Sequence, residues 1–417
     1  MNLLFVHQNF PGQFKHLAPA MVRQGHRVVA LHINACPTVP GVELVRYPVA
    51  GRPGQSTHRW LADLEVKAVR GEAAWQAALK LRDQGFVPDV IVAHPGWGES
   101  LFLQQVWPQA RLGIYCEFFY HAHGADTGFD PEFGKPEADH ACRLQMKNAN
   151  YELHFPRAHA GIAPTHWQAS LFPEPFASRI AVIHDGLRTD QIKPDAQASI
   201  RVQTAKGPVQ LGQGEEVITF VNRNLEPYRG YHQFMRALPA ILKARPQARV
   251  VIIGGNEVSY GAAPPPGPDG KPQTWREIFL NEVKGDLDLS RVHFVGKVPY
   301  ADFLRVLQVS TVHVYLTYPF VLSWSLLEAM SAGCAIMASD TAPVREAIRH
   351  GETGQLVDFF DPAALAQQVI ALCDDPTERA KLGAQARAFA VENYDLETRC
   401  LPRQMAWVQG LADNRGY

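Results

Sequence analysis

The chain has 417 residues, 46% of them hydrophobic and 19% charged, with 40 Lys and Arg against 41 Asp and Glu for a formal net charge of -1. That length predicts two domains, the mix excludes a chain disordered throughout, and the balance of charge excludes an affinity carried by a nucleic-acid backbone. The six cysteines form no C-x-x-C pair, which excludes zinc-ribbon and thioredoxin-like readings and fits a reduced compartment. The opening MNLLFVHQNFPG lacks the basic and long apolar regions of a signal peptide. No run of about 20 apolar residues follows, so the expectation is a cytoplasmic protein with at most peripheral contact at the inner face of the membrane.

In chain order, LLFVH (Leu3 to His7) reads as a strand, and Phe14, Leu17, Ala18 and Met21 recur at helical spacing after Gly12. Strands are predicted over Arg27 to Ile33 and Val42 to Tyr47, and a long helix over Trp60 to Arg82. A strand over Pro88 to His94, a helix near Ser100 to Trp107 and a strand over Arg111 to Phe118 complete the first series. The pattern restarts with a strand at Glu216 to Asn222, a helix at Tyr231 to Arg245 and strands at Arg249 to Gly255, Val292 to Gly296, Thr311 to Leu316 and Cys334 to Ser339. Such alternation predicts two mostly parallel sheets with helices on both faces. The boundary is expected between Pro164 and Pro194, with Gln203 to Glu216 and the Pro/Gly stretch Gly261 to Pro272 as loops. The tail from Glu392 to Leu411 reads as helix.

Ligands of doubly wound sheets bind beyond the carboxyl ends of the strands. That rule directs attention to the loops after His7, Phe118, Asn222, Gly255, Gly296 and Leu316. After the last of these, a polar turn leads into a helix beginning near Ser323 to Ser325, and N–H groups at such a start suit a diphosphate. Glu328, one turn in, has two readings. It can accept hydrogen bonds from the two hydroxyls of a ribose, or it can close a capping box with Ser325.

The run LLEAMSAGCAIMASD, with VREAI and GETGQLVD, resembles the C-terminal domain of glycosyltransferase family 4. The family's pattern there is Glu, seven residues, Glu, ending in E-A-M-x-x-G; Glu328, Ala329, Met330 and Gly333 match the end, and Glu352, Thr353, Gly354, Leu356 and Val357 match its trailer. The resemblance implies retaining enzymes of the α/β GT-B fold, two Rossmann-like doubly wound domains facing each other across a cleft. It implies that Glu328 contacts the donor ribose, with Ser323, Trp324 and Ser325 beside the donor. The family's first Glu, a donor-sugar contact, is replaced by Phe320, and its Gly-Phe-Gly by Val321, Leu322 and Ser323.

FVNRNLEPYRG is similar to the family's segment in which a basic pair grips the diphosphate: Arg229 and Gly230 match, and either Arg223 or Asn224 takes the other place. The alternative makes Arg223 and Arg229 surface charges paired with Glu226. Gly12, in the loop after the first strand, implies close backbone approach to the donor phosphate or the acceptor, or else a simple helix-start turn. In YCEFFYHAHGADTGFDPEF the implied catalytic candidates are His121 and Glu117, with His123 and Asp126 as further polar groups.

The domains implied are an acceptor-side domain over residues 1–170, a donor-binding domain over 190–391, and a helix over 392–417 returning to the first. Asp286-Leu-Asp288 has the shape of a metal-binding Asp-x-Asp, but the two arginines can neutralise a diphosphate. No metal or other cofactor is therefore expected. The function implied is sugar transfer from a nucleotide-sugar donor to a glycan or lipid-linked acceptor, as in polysaccharide biosynthesis. The rivals are a nucleotide-sugar epimerase of the same fold, a silent nucleotide-sugar or polysaccharide binder, and a periplasmic sugar receptor, which the absent signal peptide disfavours.

Overall fold

The computed structural model describes residues 1–49, 58–133, 136–204, 207–268 and 270–413. The chain divides into two compact units, residues 1–186 with the C-terminal stretch from Leu396, and Leu187–Asp395.

Seven strands form the sheet of the first unit: β1 (Asn2–Val6), β2 (Arg27–His32), β3 (Val42–Arg46), β4 (Val90–Ala93), β5 (Arg111–Tyr115), β6 (Ala160–Ala163) and β7 (Ile180–Val182). All pair in parallel, in the order β3-β2-β1-β4-β5-β6-β7. Every residue of β4 is fully buried, as a parallel strand covered by helices on both faces requires. The last two strands were not anticipated; they are only four and three residues long. The helix Leu401–Ala412 packs on this sheet through Trp407, Val408 and Leu411. A Cβ at Gly113 of β5 would lie 2.5 Å from the Trp407 ring, so the glycine makes room for the indole. The tail is not the single helix expected. The helix Pro376–Tyr394 ends, one π turn spans Leu396–Cys400, and Leu401–Ala412 follows; the break coincides with the passage from one unit to the other.

In the second unit, β8 (Ser199–Thr204) and β9 (Gly207–Gly212) pair as an antiparallel hairpin. This overturns the loop expected at Gln203 to Glu216. Ile200, Val202, Val209 and Leu211 alternate with Gly, Pro and polar residues, and all four turn one face onto the unit's core. The main sheet holds β10 (Val217–Asn224), β11 (Arg249–Gly255), β12 (Val292–Gly296), β13 (Val312–Tyr315), β14 (Ile336–Ser339) and β15 (Gln355–Val357). They are parallel, in the order β12-β11-β10-β13-β14-β15. One face buries Val217, Val251 and Ile336 with Leu326 and Met330 of the helix Trp324–Ser331. On the other, Phe220 stacks on Phe234 of the helix Tyr231–Ala244, with centroids 4.5 Å apart.

Both units are therefore Rossmann-like and doubly wound. Strand order reverses between β1 and β4 in one and between β10 and β13 in the other, and these reversals open the crevices where such sheets bind ligands. Among the described residues, no helix is long and apolar enough to cross a membrane.

Candidate functional site

At the reversal in the first unit, the residues that follow β1 and β4 are both histidines, His7 and His94, with ring centroids 5.3 Å apart. Asn9 N–H donates to His7 Nδ1 at 2.9 Å, which assigns the ring proton to Nε2. Nε2 then donates to Gln13 Oε1 at 2.8 Å, and Gln13 Nε2 donates to Glu117 Oε1 at 3.3 Å. Burial, with His94 adding to it, lowers the His7 pKa to about 3, so this ring stays neutral.

Gly96 N–H donates to His94 Nδ1 at 3.2 Å, which turns a protonated Nε2 toward Glu117 Oε2 at 3.5 Å, short of a hydrogen bond. The His94 ring is stacked between Trp97 and Tyr115, at 4.3 and 5.3 Å. Tyr115 is itself held by Asp185 at 3.0 Å. Gln168 Nε2 fixes the Glu117 backbone through its carbonyl at 2.6 Å. The Glu117 side chain is 35% exposed while His94 is 1% exposed, so the carboxylate is the group of this relay that a ligand hydroxyl can meet. Elsewhere in this unit, Arg70 donates to Gln8 Oε1 at 2.6 Å and lies 3.8 Å from the buried Glu99, whose carboxyl burial pushes up.

At the reversal in the second unit, Arg229 follows β10 on a turn closed by Gly230. That residue has φ +66°, and a Cβ there would lie 2.3 Å from Leu316, so the turn requires glycine. Arg229 is 6% exposed. Its Nη1 donates to Thr317 Oγ1 at 2.9 Å and to the Val321 carbonyl at 3.1 Å. Among the described residues, Nε and Nη2 make no such bond. Arg229 is thereby tied to the loop that leads from β13 into the helix Trp324–Ser331. Tyr260 and Phe320 lie over the guanidinium at 5.2 and 6.0 Å.

The cap of that helix is Ser323, whose Oγ accepts from Ser325 N at 3.3 Å and whose own N–H donates to Tyr315 Oη at 3.0 Å. The capping box between Ser325 and Glu328 does not form, because the helix begins two residues earlier. Glu328 is 8% exposed, and its Oε1 accepts from the Tyr300 hydroxyl at 2.7 Å.

The other residues singled out by sequence are placed as follows. Arg223 is exposed near the end of β10, and the buried Asn224 donates to Ser259 Oγ at 2.7 Å. The pairing of both arginines with Glu226 is not seen for Arg229. Glu226 is fully buried, accepts from Ser259 N and Tyr260 N at 2.9 and 3.0 Å, and so pins the loop after β11. Gly12 has φ +47°, and a Cβ there would lie 2.4 Å from His7 Nε2; the contact beneath it accounts for the glycine. Trp324 opens its helix and is half-buried. His121 Nε2 donates to the Leu171 carbonyl at 2.7 Å, which makes the ring an anchor for its loop, and His123 is exposed. Phe320 is buried against Tyr228 and Tyr260. Asp288 caps the turn Leu289–Arg291 and pairs with Arg291 at 2.9 Å, a local structural role.

Sequence reading missed His7, Gln13 and His94 as site residues. The signal for His94 was present: a polar residue at the carboxyl end of an apolar strand, before Pro95 and Gly96. It was absorbed into the strand.

Residues 24–192 match the model of the glycosyl transferase family 4 group, and residues 203–389 match that of the glycosyl transferases group 1. A D-inositol 3-phosphate glycosyltransferase of Streptomyces scabiei is 28% identical over 247 residues, covering 57% of this chain and 50% of that protein. The chain thus spans about half the length of such curated relatives. Among solved structures, sucrose-phosphate synthase from Thermosynechococcus elongatus aligns over 99% of this chain and 100% of its own at TM-score 0.71 and 17% identity. The Anabaena protein HepE in complex with UDP and glucose aligns over 98% and 99% at TM-score 0.63 and 15% identity. These two likenesses show the fold.

Proposed function

From the premise that the chain belongs to the family 4, group 1 glycosyltransferases with their GT-B fold, we propose that it transfers a sugar from a nucleoside diphosphate sugar to a hydroxyl acceptor with retention of configuration. The observation that carries this reading is Arg229. It is a guanidinium fixed through one nitrogen at the strand reversal of the second sheet, bonded to the loop that starts a helix. A fixed guanidinium beside helix N–H groups is complementary to a diphosphate. Glu328, one turn further, is the acceptor group for the ribose hydroxyls.

In this reading the bond from the anomeric carbon to the diphosphate breaks, and a bond from that carbon to the acceptor oxygen forms on the same face. The departing diphosphate oxygen takes the hydroxyl's proton, and Arg229 stabilises the charge that develops there. Glu117, kept in place by Gln13 and approached by His94, orients the acceptor hydroxyl. UDP, which HepE binds, is the first donor base to try. The acceptor is a glycan or a lipid-linked sugar.

The test incubates the protein with UDP-, GDP- and ADP-sugars and a glycan extract, following free nucleoside diphosphate and the product's anomeric proton by NMR. Acceptor-dependent release with the donor's anomeric configuration is expected. Absence of binding to every nucleoside diphosphate by calorimetry would sink the reading.

A further inference from the structure

Tyr300 was not marked by the sequence, yet it touches the donor-side machinery directly. It is the first residue of the helix Tyr300–Gln308, placed there by a loop that leaves β12 at Gly296. That glycine has φ +69°, and nothing lies within 4 Å of where a Cβ would stand. The tyrosine is 55% exposed, so one face of its ring is open to a ligand. Its two ends are nonetheless fixed. The hydroxyl donates to Glu328 Oε1 at 2.7 Å, and the ring rests against Phe303, one turn along the same helix, with centroids 5.6 Å apart. Burial of the hydroxyl and the neighbouring carboxylate both push its pKa up, so it remains a donor.

A phenol held in this way has a rigid, solvent-facing ring next to a carboxylate. In a nucleoside, the carbon that carries the base is bonded directly to the carbon that carries the 2′-hydroxyl. A side chain within hydrogen-bond reach of the group that reads the ribose hydroxyls therefore stands within one ring's length of the base. Flat aromatic faces bind bases of any kind by stacking.

We propose that Tyr300 reads the nucleoside half of the donor: its ring is the platform for the base, and its hydroxyl orients the Glu328 carboxylate toward the ribose. This rests on the donor reading of the second unit given above. The residue is a specificity determinant for the nucleotide and takes no part in bond making. The ligand class is a purine or pyrimidine ribonucleoside diphosphate, distinguished from pyrophosphate by the ring and from a 2′-deoxy nucleotide by the orientation of Glu328.

The experiment is calorimetric titration of the full chain with UDP, GDP, ADP, inorganic pyrophosphate, and the 2′-deoxy form of whichever nucleotide binds best. Wild type, Tyr300→Ala, Tyr300→Phe and Arg229→Ala are compared. With stacking worth on the order of 1–3 kcal/mol per base, Tyr300→Ala is expected to cut the preference for nucleotide over pyrophosphate about tenfold or more. Tyr300→Phe keeps that preference but narrows the ribose-over-deoxyribose ratio by about threefold to fivefold, the scale of one hydrogen bond. Arg229→Ala weakens nucleotide and pyrophosphate together.

Unchanged nucleotide preference in Tyr300→Ala, alongside a weakened Arg229→Ala, would overturn the role of Tyr300 and leave the donor reading standing. Equal loss of base preference in Tyr300→Phe would overturn the division between ring and hydroxyl. Wild type that binds none of the three nucleotides would remove both readings.

Discussion

The same topology has been furnished in opposite ways in the two units. At the reversal of the first sheet, β1 and β4 deliver two histidines, of which burial keeps His7 neutral, and their relay leads to the Glu117 carboxylate. At the reversal of the second sheet, the corresponding strand ends deliver Arg229 and Thr317, with a helix start in the adjoining loop. The difference teaches what each crevice can hold. Hydrogen-bonding side chains gathered around one carboxylate suit hydroxyl groups. A fixed cation with unused N–H groups beside a helix tip suits phosphate oxygens.

The comparison can be broken in four places. The largest effect is expected from Glu117→Gln, which keeps the size of the side chain but removes the charge that His94 and Gln13 address. Turnover should fall by about a hundredfold, the scale of losing one positioned acid–base or orienting group. Nucleotide affinity should stay unchanged; a matching loss of nucleotide affinity would erase the distinction between the crevices.

Next, Arg229→Ala should weaken nucleoside diphosphate binding by roughly tenfold to a hundredfold, as expected for a charge-assisted pair. The melting temperature should also drop, because Thr317 Oγ1 and the Val321 carbonyl lose their shared donor. Unaltered affinity by calorimetry would take Arg229 out of the site.

Glu328→Gln should weaken the ribonucleotide by about fivefold to tenfold, the scale of one ordinary hydrogen bond, since the amide oxygen can still accept. Since Ser323 caps the helix, stability should hardly move; a large melting shift with affinity kept would restore a structural role for Glu328.

The fourth test reads stability in place of binding or turnover, and separates the units by pH. Burial lowers the pKa of His7 to about 3, of His154 to about 4 and of His184 to about 3 in the first unit. In the second unit it lowers His313 to about 4. Each folded value lies below the unfolded 6.5, so the unfolded chain binds more protons between the two. The stability these groups contribute is complete above pH 6.5 and is lost as pH falls toward 4, by about 1.4 kcal/mol per pH unit for each histidine. Amide exchange at pH 7 and pH 5 should show β1, β4 and β5 losing more protection than β10 and β13. Equal losses would contradict the assignment of three such histidines to one unit.

Much of this was legible residue by residue. The strands β11 and β12 fall where their apolar runs end in glycine, and the helix after Gly230 follows its own periodicity. Arg229 was singled out by the resemblance and by its place after a strand, and the structure ties it to the loop after β13. The hairpin at β8 and β9 was not, although Ile200, Val202, Val209 and Leu211 alternate, because Gly, Pro and Gln between them read as turn formers. Whether Glu328 closes a capping box turned on where the helix begins, and Ser323 and Ser325 offer equal local signals for that.

Local pattern thus determined the two doubly wound sheets, the order of their elements, and the strand ends that carry polar groups, since strand and helix periodicities are written in neighbouring residues. Which of those groups meet was decided only in three dimensions. His7 and His94 are 87 residues apart in the chain, as are Tyr115, Asp185 and Glu117 from their partners by tens of residues, and the parallel crossover that sets β1 beside β4 brings the two rings together. Tyr300 and Glu328 meet for the same reason: a hydrogen bond depends on distance in space, and the packing of sheet and helix sets that distance.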